Sequence, residues 1–144
     1  MKKKFLKILV MGLPGAGKTY MANILSKKLN AYWINADQVR KENNDWDFSQ
    51  EGRRRQANRM FDLCEKSIKK KKDVVADFVC PTKKTREMFK ADLIIWMDTI
   101  KKGRFEDTNQ MFEEPKQYDF RVKEFDAENI SEEIIKKIKR IKED

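Results

Sequence analysis

The sequence predicts an α/β protein, a three-layer α/β/α sandwich around a mostly parallel sheet of about five strands. Three observations predict it. Short apolar runs alternate with longer segments whose apolar residues recur at helical spacing. Repeated β-α units imply parallel strands with helices over both faces. A glycine-rich turn sits where the first apolar run gives way to the first helical pattern.

The elements follow in order. Phe5-Leu6-Lys7-Ile8-Leu9-Val10-Met11 is short and mostly apolar, as a buried parallel strand is. Beyond the glycine turn, Met21, Ile24, Leu25 and Leu29 mark a helix. Tyr32-Trp33-Ile34-Asn35 reads as a second strand, with a polar loop or helix start at Asp37. From Ser49 to about Lys70, Ala57, Met60, Phe61, Cys64 and Ile68 share one helical face, with Ser49 as N-cap and Glu51 in the first turn. Asp73 to Val79 is a third strand, ended by Pro81. Thr82 caps a short helix through Phe89, and Asp92 to Met97 is a fourth strand. Residues 99–117 are polar, carry Gly103 and Pro115 and show no period, which reads as a functional lid. Phe120-Arg121-Val122 makes a short fifth strand. Ser131 opens the last helix, with Glu132 and Glu133 in its first turn and an apolar face of Ile130, Ile134, Ile135, Ile138 and Ile141. With 144 residues, one domain over 1–144 is expected.

Composition narrows the function classes. No run of 18 apolar residues suggests a membrane span. Met1-Lys2-Lys3-Lys4 is basic, but the apolar stretch after it runs straight into the glycine turn and reads as a strand rather than a signal peptide. Cys64 and Cys80 lack metal-ligand spacing, so a reduced, cytoplasmic protein is the simplest expectation. There is no histidine, so a general base must be a carboxylate, lysine, tyrosine or thiol. The net charge of +9 comes from 33 basic and 24 acidic residues. The lysines gather at Lys2 to Lys4, Lys69 to Lys72 and Lys136 to Lys142, as on solvated faces and helix ends. Nucleic acid is therefore not the expected partner, while the positive field suits a small anionic substrate.

The chemistry starts at Gly12-Leu13-Pro14-Gly15-Ala16-Gly17-Lys18-Thr19, which fits the phosphate-binding pattern G-x-x-x-x-G-K-[ST]. Glycines let several backbone N–H groups converge on one phosphate chain at a helix N-terminus. Lys18 would reach the outer phosphates of ATP, and the Thr19 hydroxyl would hold Mg²⁺. In such sheets ligands bind beyond the carboxyl ends of the strands, so residues just after each strand are the candidates. Asp37 follows strand two. It would orient or deprotonate an acceptor hydroxyl or hold Mg²⁺ through water, or else simply cap a helix. Arg40 lies three residues on and would bind an anionic group, or else be solvated. Phe48 would stack on an aromatic base or cover the core edge. Arg53, Arg54 and Arg55 fan over roughly 200° of helix surface, so they cannot all face one ligand. Asp77 sits where a strand-end acid supports Mg²⁺, and Cys80 reads as a packing thiol.

These motifs, in this order, resemble the adenylylsulfate kinase family. Its phosphate loop is matched by Gly12 to Thr19, its L-D-G-D-x-[VL]-R by Ile34-Asn35-Ala36-Asp37-Gln38-Val39-Arg40, and its G-F-S-x-x-D-R by Asp47-Phe48-Ser49-Gln50-Glu51-Gly52-Arg53. Phe78-Val79-Cys80-Pro81 is similar to the family's strand ending F-[IV]-[SC]-P. The resemblance covers residues 5 to about 90. It implies transfer of phosphate from ATP to the ribose 3′-hydroxyl of adenosine 5′-phosphosulfate, a small-molecule nucleotide, and it implies a homodimer. Asp37 would stand beside the acceptor hydroxyl and Mg²⁺. Arg40 and Arg53 would hold the phosphosulfate, and Phe48 would offer a face to the adenine. Gln56, Phe78, Val79, Cys80 and Pro81 would complete the acceptor side. The chain departs from the family at Gln56 (asparagine there), at Asn35 (an acid there) and at Cys80 (a serine in many members). It also shortens the lid, leaving Lys101-Lys102-Gly103-Arg104-Phe105. Aligning Phe112-Glu113-Glu114-Pro115 with the family's Y-E-x-P makes Phe105 a second stacking ring, and Arg104 would offset charge in the transition state. Two other readings stand beside this one: a kinase of another nucleoside, nucleic-acid end or small-molecule hydroxyl, and a non-catalytic nucleotide-binding module.

Overall fold

The computed structural model describes residues 4–103 and 106–143. Strands β1 (Lys7–Met11), β2 (Tyr32–Asn35), β3 (Val74–Asp77), β4 (Leu93–Met97) and β5 (Phe120–Val122) form one sheet in the order β2-β3-β1-β4-β5. Every pairing is parallel. The helices are α1 (Lys18–Leu29), α2 (Ala36–Asn43), α3 (Gln50–Lys69), α4 (Lys83–Phe89), α5 (Glu106–Met111) and α6 (Ala127–Glu143). The expected α/β sandwich is the observed one.

Period-two alternation divides the sheet between two cores. Ile8, Val10, Val75, Leu93, Ile95 and Met97 face the apolar side chains of α1 and α6, such as Leu25 and Ile134. Leu9, Met11, Val74, Ala76 and Trp96 face Met60 and Cys64 of α3 and Phe89 of α4. The same alternation turns Asp77 toward α1.

Three aspartates organise the amino edge of the sheet. Asp73, Asp92 and Asp119 each immediately precede a strand and each accept a backbone N–H from the neighbouring chain segment, from Leu6, Lys7 and Ile94 respectively, all at 2.8 Å. At the same edge Lys7 is 3% exposed. Its ammonium reaches Glu65 (3.0 Å) and lies 4.3 Å from the centre of the Phe61 ring.

Three local expectations are corrected. Asn35, not Asp37, caps α2, its Oδ1 accepting the Gln38 N–H (3.0 Å), so Asp37 falls in the first turn. The 99–117 segment is not wholly irregular, because it contains α5. The last helix begins at Ala127 rather than Ser131, since the Asp126 carbonyl already accepts the Ile130 N–H (3.1 Å). Its first-turn acid is Glu128. Ser131 lies inside the helix, fully buried, where it accepts from Lys28 Nζ (3.0 Å) and donates to the Glu128 carbonyl (2.7 Å).

Asp73 is 5% exposed and also takes the Lys142 ammonium from α6. Asp73→Ala would leave the Leu6 N–H buried without a partner. We expect a loss of about 1–3 kcal/mol, read by urea unfolding with an unchanged m-value.

Candidate functional site

The candidate site lies at the carboxyl edge of β2, β3 and β1. Gly12 ends β1 at φ +149°, where a Cβ would come within 2.5 Å of the Met97 carbonyl oxygen. Only glycine lets the loop pass so close to β4. Gly17 caps α1 at φ +94° with no side-chain cap, leaving the helix's first amides to the loop. Pro14, Gly15 and Ala16 complete the turn, with the Ala16 N–H on the Leu13 carbonyl (3.1 Å). The Thr99 hydroxyl donates to the Ala16 carbonyl (2.8 Å) and ties the loop to the start of the 99–117 segment. Lys18 Nζ donates to the Leu13 carbonyl (3.0 Å), so its ammonium curls back over the loop.

Asp77 is the buried charge of this site, 2% exposed at the end of β3. Sheet register sets Asn35 of β2 on one side of it and Val10 of β1 on the other. Its Oδ2 accepts from Thr19 Oγ1 (3.1 Å) and from Asn35 Nδ2 (2.8 Å). Burial pushes the carboxyl above its ordinary value, and Asn35, the Lys18 charge, Thr19 and the Trp33 indole oppose that rise. Asn35 now has a physical reason: a carboxylate there would face the Asp77 charge, whereas its amide donates to it.

Mg²⁺ takes hard oxygen ligands and usually keeps only one or two from protein beside water and substrate phosphates. The Thr19 hydroxyl and Asp77 carboxylate, set together at the loop's end, fit that requirement. Among the described residues no group of three or more His, Cys, Asp or Glu side chains makes a denser metal site.

On the acceptor side, a cavity of about 440 Å³ opens between α3, α4 and α5. Arg53, Arg54 and Lys84 give it positive charge, and Pro81, Met88 and Met111 give it apolar wall. Of the expected acceptor residues, Arg53 and Pro81 line it. Arg53 donates to the Phe48 carbonyl (2.9 Å) and to Thr108 Oγ1 of α5 (2.9 Å). Arg54 is paired with Glu51 (2.7 Å), while Arg55 turns away to Asp45 and Asp47, so the three arginines diverge as helical spacing predicts.

The other expected residues are placed differently. Arg40 is 5% exposed; its Nη1 donates to the Asp45 and Asp47 carbonyls (3.0 and 3.2 Å), and its guanidinium lies 4.3 Å from the Phe48 ring centre. It therefore shapes the 44–48 loop that presents Phe48, whose own ring is half exposed. Gln56 is buried and donates to the Ala36 carbonyl (2.9 Å), pinning α3 to α2. Phe78 packs edge-on against Phe89, with ring centres 5.3 Å apart. Cys80 has no exposed surface, its carbonyl accepts from Arg86 Nε (3.0 Å), and burial pushes its thiol up to about 12, so it packs the wall rather than touching a ligand. Val79 is half-buried between them. Asp37 stands exposed in the first turn of α2, and the carboxylate that meets Thr19 is Asp77 instead. Arg104 and Phe105 lie outside the described residues.

Sequence reasoning missed Arg54, Lys84, Met88 and Met111 as cavity walls. It also missed Asp45, which Arg55 and Arg59 hold well below the usual carboxylate range. The contact of Arg59 with Asp45 (2.7 Å) spans α3 and the loop. No short motif marks such pairs. The 99–117 segment docks over the cavity's rim: the Glu113 N–H donates to the Pro81 carbonyl (2.7 Å), and Arg86 holds the Glu113 carbonyl.

The family model described as AAA domain matches residues 8–91. The chain belongs to the AAA domain family. Those residues run from β1 through α4, so the match takes in the phosphate loop, Asp77 and the acceptor wall at Pro81. No curated protein sequence matches this AAA domain. Among solved structures it is similar to the Mycobacterium tuberculosis APS kinase in complex with AMPPNP and APS: TM-score 0.77, 18% identity, 94% of this chain and 98% of that one covered. It is also similar to shikimate kinase from Aquifex aeolicus (TM-score 0.69, 16% identity, 93% and 96% covered). A gluconokinase from Sinorhizobium meliloti matches with TM-score 0.64 and 15% identity, covering 99% and 96%. At these identities the likeness is one of fold, the α/β fold of P-loop kinases. No described helix is long and apolar enough to cross a membrane.

The raised Asp77 pKa makes a linked prediction. A carboxyl whose folded-state pKa is raised stabilises the fold fully below its unfolded value of about 3.9, and that contribution is lost as pH rises through the folded value. Asp77→Asn should therefore raise Tm relative to the parent at pH 7, with the gain vanishing near pH 3. The same variant should weaken Mg²⁺ affinity by roughly 10–100-fold in titrations with bound nucleotide.

Proposed function

We propose that this chain is an ATP-dependent kinase that phosphorylates the ribose 3′-hydroxyl of adenosine 5′-phosphosulfate. The observation that carries the kinase reading is the Thr19–Asp77 contact at the end of the glycine loop, beside a cavity walled by Arg53 and Lys84. Phosphoryl transfer asks a protein mainly for positioning and charge neutralisation. ATP supplies the phosphoryl group, and Mg²⁺ neutralises charge on its outer phosphates. The amides of Gly12 to Thr19 cradle the phosphate chain, and Lys18 swings from the Leu13 carbonyl to the outer phosphates. Thr19 and Asp77 hold Mg²⁺, and Asp37 orients the acceptor hydroxyl and takes its proton. Arg53 binds the acceptor's anionic group, Arg40 sets the Phe48 ring for the base, and Pro81 forms the cavity wall. Arg104 and Phe105 belong to the same proposal as transition-state cation and second ring. The 99–117 segment acts as the lid of a single 1–144 domain, excluding water from the reaction. A homodimer of a cytoplasmic enzyme completes this reading.

One observation favours a second reading. Arg40 is buried, spends its Nη1 on loop carbonyls and stacks on Phe48, so of the two expected anion-binding arginines Arg53 alone lines the cavity. That arrangement suits an acceptor with fewer negative charges, such as another nucleoside or small hydroxyl compound. A module that binds nucleotide without turnover is the remaining alternative.

ADP release with Mg·ATP, with and without adenosine 5′-phosphosulfate, separates the three. We expect strong stimulation by the acceptor, lost by roughly 10²–10³-fold in Lys18→Ala. Stimulation by a different hydroxyl compound alone supports the second reading, and ATP binding with no acceptor-dependent release supports the third. Asp37→Asn should lower kcat by roughly 10²-fold or more while the Kd for ATP stays within about two-fold; unchanged turnover would remove Asp37 from its role.

A further inference from the structure

Helix α5 is fastened on both sides. Before it, Asn109 Oδ1 accepts the Gly103 N–H (2.7 Å) and Asn109 Nδ2 donates to the Gly103 carbonyl (3.1 Å). A Cβ built on Gly103 would lie 3.1 Å from the Pro14 carbonyl oxygen, so this turn rests on the phosphate loop. After it, the Glu113 carboxylate accepts the Lys83 N–H (3.0 Å), and the Phe112 ring centre lies 5.5 Å from the Arg86 guanidinium. A helix held in this way is a firm base for a side chain that must point in one direction. Thr108 is that side chain. It is 4% exposed, the one buried polar residue among the described residues of 99–117. A branched Cβ leaves its hydroxyl few directions. The hydroxyl accepts from Arg53 Nη2 (2.9 Å), a contact between residues 55 positions apart in the chain.

Arg53 is thereby held through two different nitrogens. Its Nε donates to the Phe48 carbonyl (2.9 Å), a local contact five residues back, and its Nη2 to Thr108, the long-range one. A guanidinium is planar, with its donors in a fixed fork, so two such bonds set both its place and its plane. The neighbouring arginines answer to other partners, Arg54 to Glu51 and Arg55 to Asp45 and Asp47. We propose that Thr108 is a positioning residue for the acceptor: its hydroxyl fixes the Arg53 guanidinium in the plane that receives the acceptor's anionic group. The proposal rests on the acceptor half of the kinase reading and adds a residue that no motif marks. Ordering a long side chain at the moment of binding lowers affinity, and Thr108 orders Arg53 beforehand. It acts through Arg53 and not on the substrate.

Calorimetric binding of adenosine 5′-phosphosulfate, with Mg·ATP titrated separately as a control, tests this on the parent chain, Thr108→Val, Thr108→Ser and Arg53→Ala. Valine keeps the branched shape and removes the hydroxyl, and Thr108→Ala repeats the test with a smaller side chain should valine disturb α5. We expect Thr108→Val to weaken adenosine 5′-phosphosulfate by about 3- to 10-fold, the effect of ordering one long side chain on binding, with ATP within about two-fold of the parent. Thr108→Ser should bind the acceptor as the parent does. In turnover the loss should fall on the acceptor KM and spare kcat. In an Arg53→Ala background Thr108→Val should cost nothing further, because no guanidinium is left to position. Acceptor affinity unchanged in Thr108→Val and Thr108→Ala would overturn the proposal. So would an equal loss of ATP, or a full additive loss in the Arg53→Ala background, because Thr108 would then merely hold α5 in place. A parent chain that binds ATP but not adenosine 5′-phosphosulfate would overturn the proposed acceptor, and this proposal with it.

Discussion

A buried carboxylate at the end of β3 is the constraint around which the carboxyl edge is built. Asp77 would be costly to bury without partners. Its partners come from two different elements: Thr19 from the first turn of α1, and Asn35 and Trp33 from β2. Those elements meet only because β3 lies between β2 and β1. A strand order placing β1 at an edge would separate Thr19 from Asn35 and leave the charge without one of its donors. The phosphate loop is thus positioned by the same contacts that make Asp77 tolerable.

The two edges of the sheet use aspartate in opposite ways. At the amino edge, Asp73, Asp92 and Asp119 accept backbone N–H groups that the parallel ladder leaves over, and they pin the strand starts. Removing one loses stability. At the carboxyl edge, Asp77 accepts from side chains, and burial works against its charge. Removing that charge should gain stability and lose metal. Sites that raise the energy of the empty fold in return for binding are expected where function is located.

Much of the fold was legible because its signals are local. β2 and β5 were readable from four and three residues, and the caps at Ser49 and Thr82 from single side chains. The start of α6 was not, because Ser131 imitates a cap while its hydroxyl in fact serves Lys28 and Glu128 inside the helix. The phosphate loop was legible as a contiguous motif. The acceptor side was less so, because it depends on packing between distant segments. Nothing near Arg40 in sequence says that its guanidinium will be spent on the Asp45 and Asp47 carbonyls. Nothing near Met88 says that Met111 will face the same cavity.

The placement of the three tryptophans has an optical consequence. Trp96 is 3% exposed, lying beneath the Arg121 guanidinium, and Trp46 is half exposed on the 44–48 loop. Trp33 alone lies against Asp77. A divalent ion arriving there changes the field at one indole and leaves the other two in their surroundings. The chain therefore carries a native fluorophore at its proposed metal site, whose emission can follow ion occupancy in solution without a label.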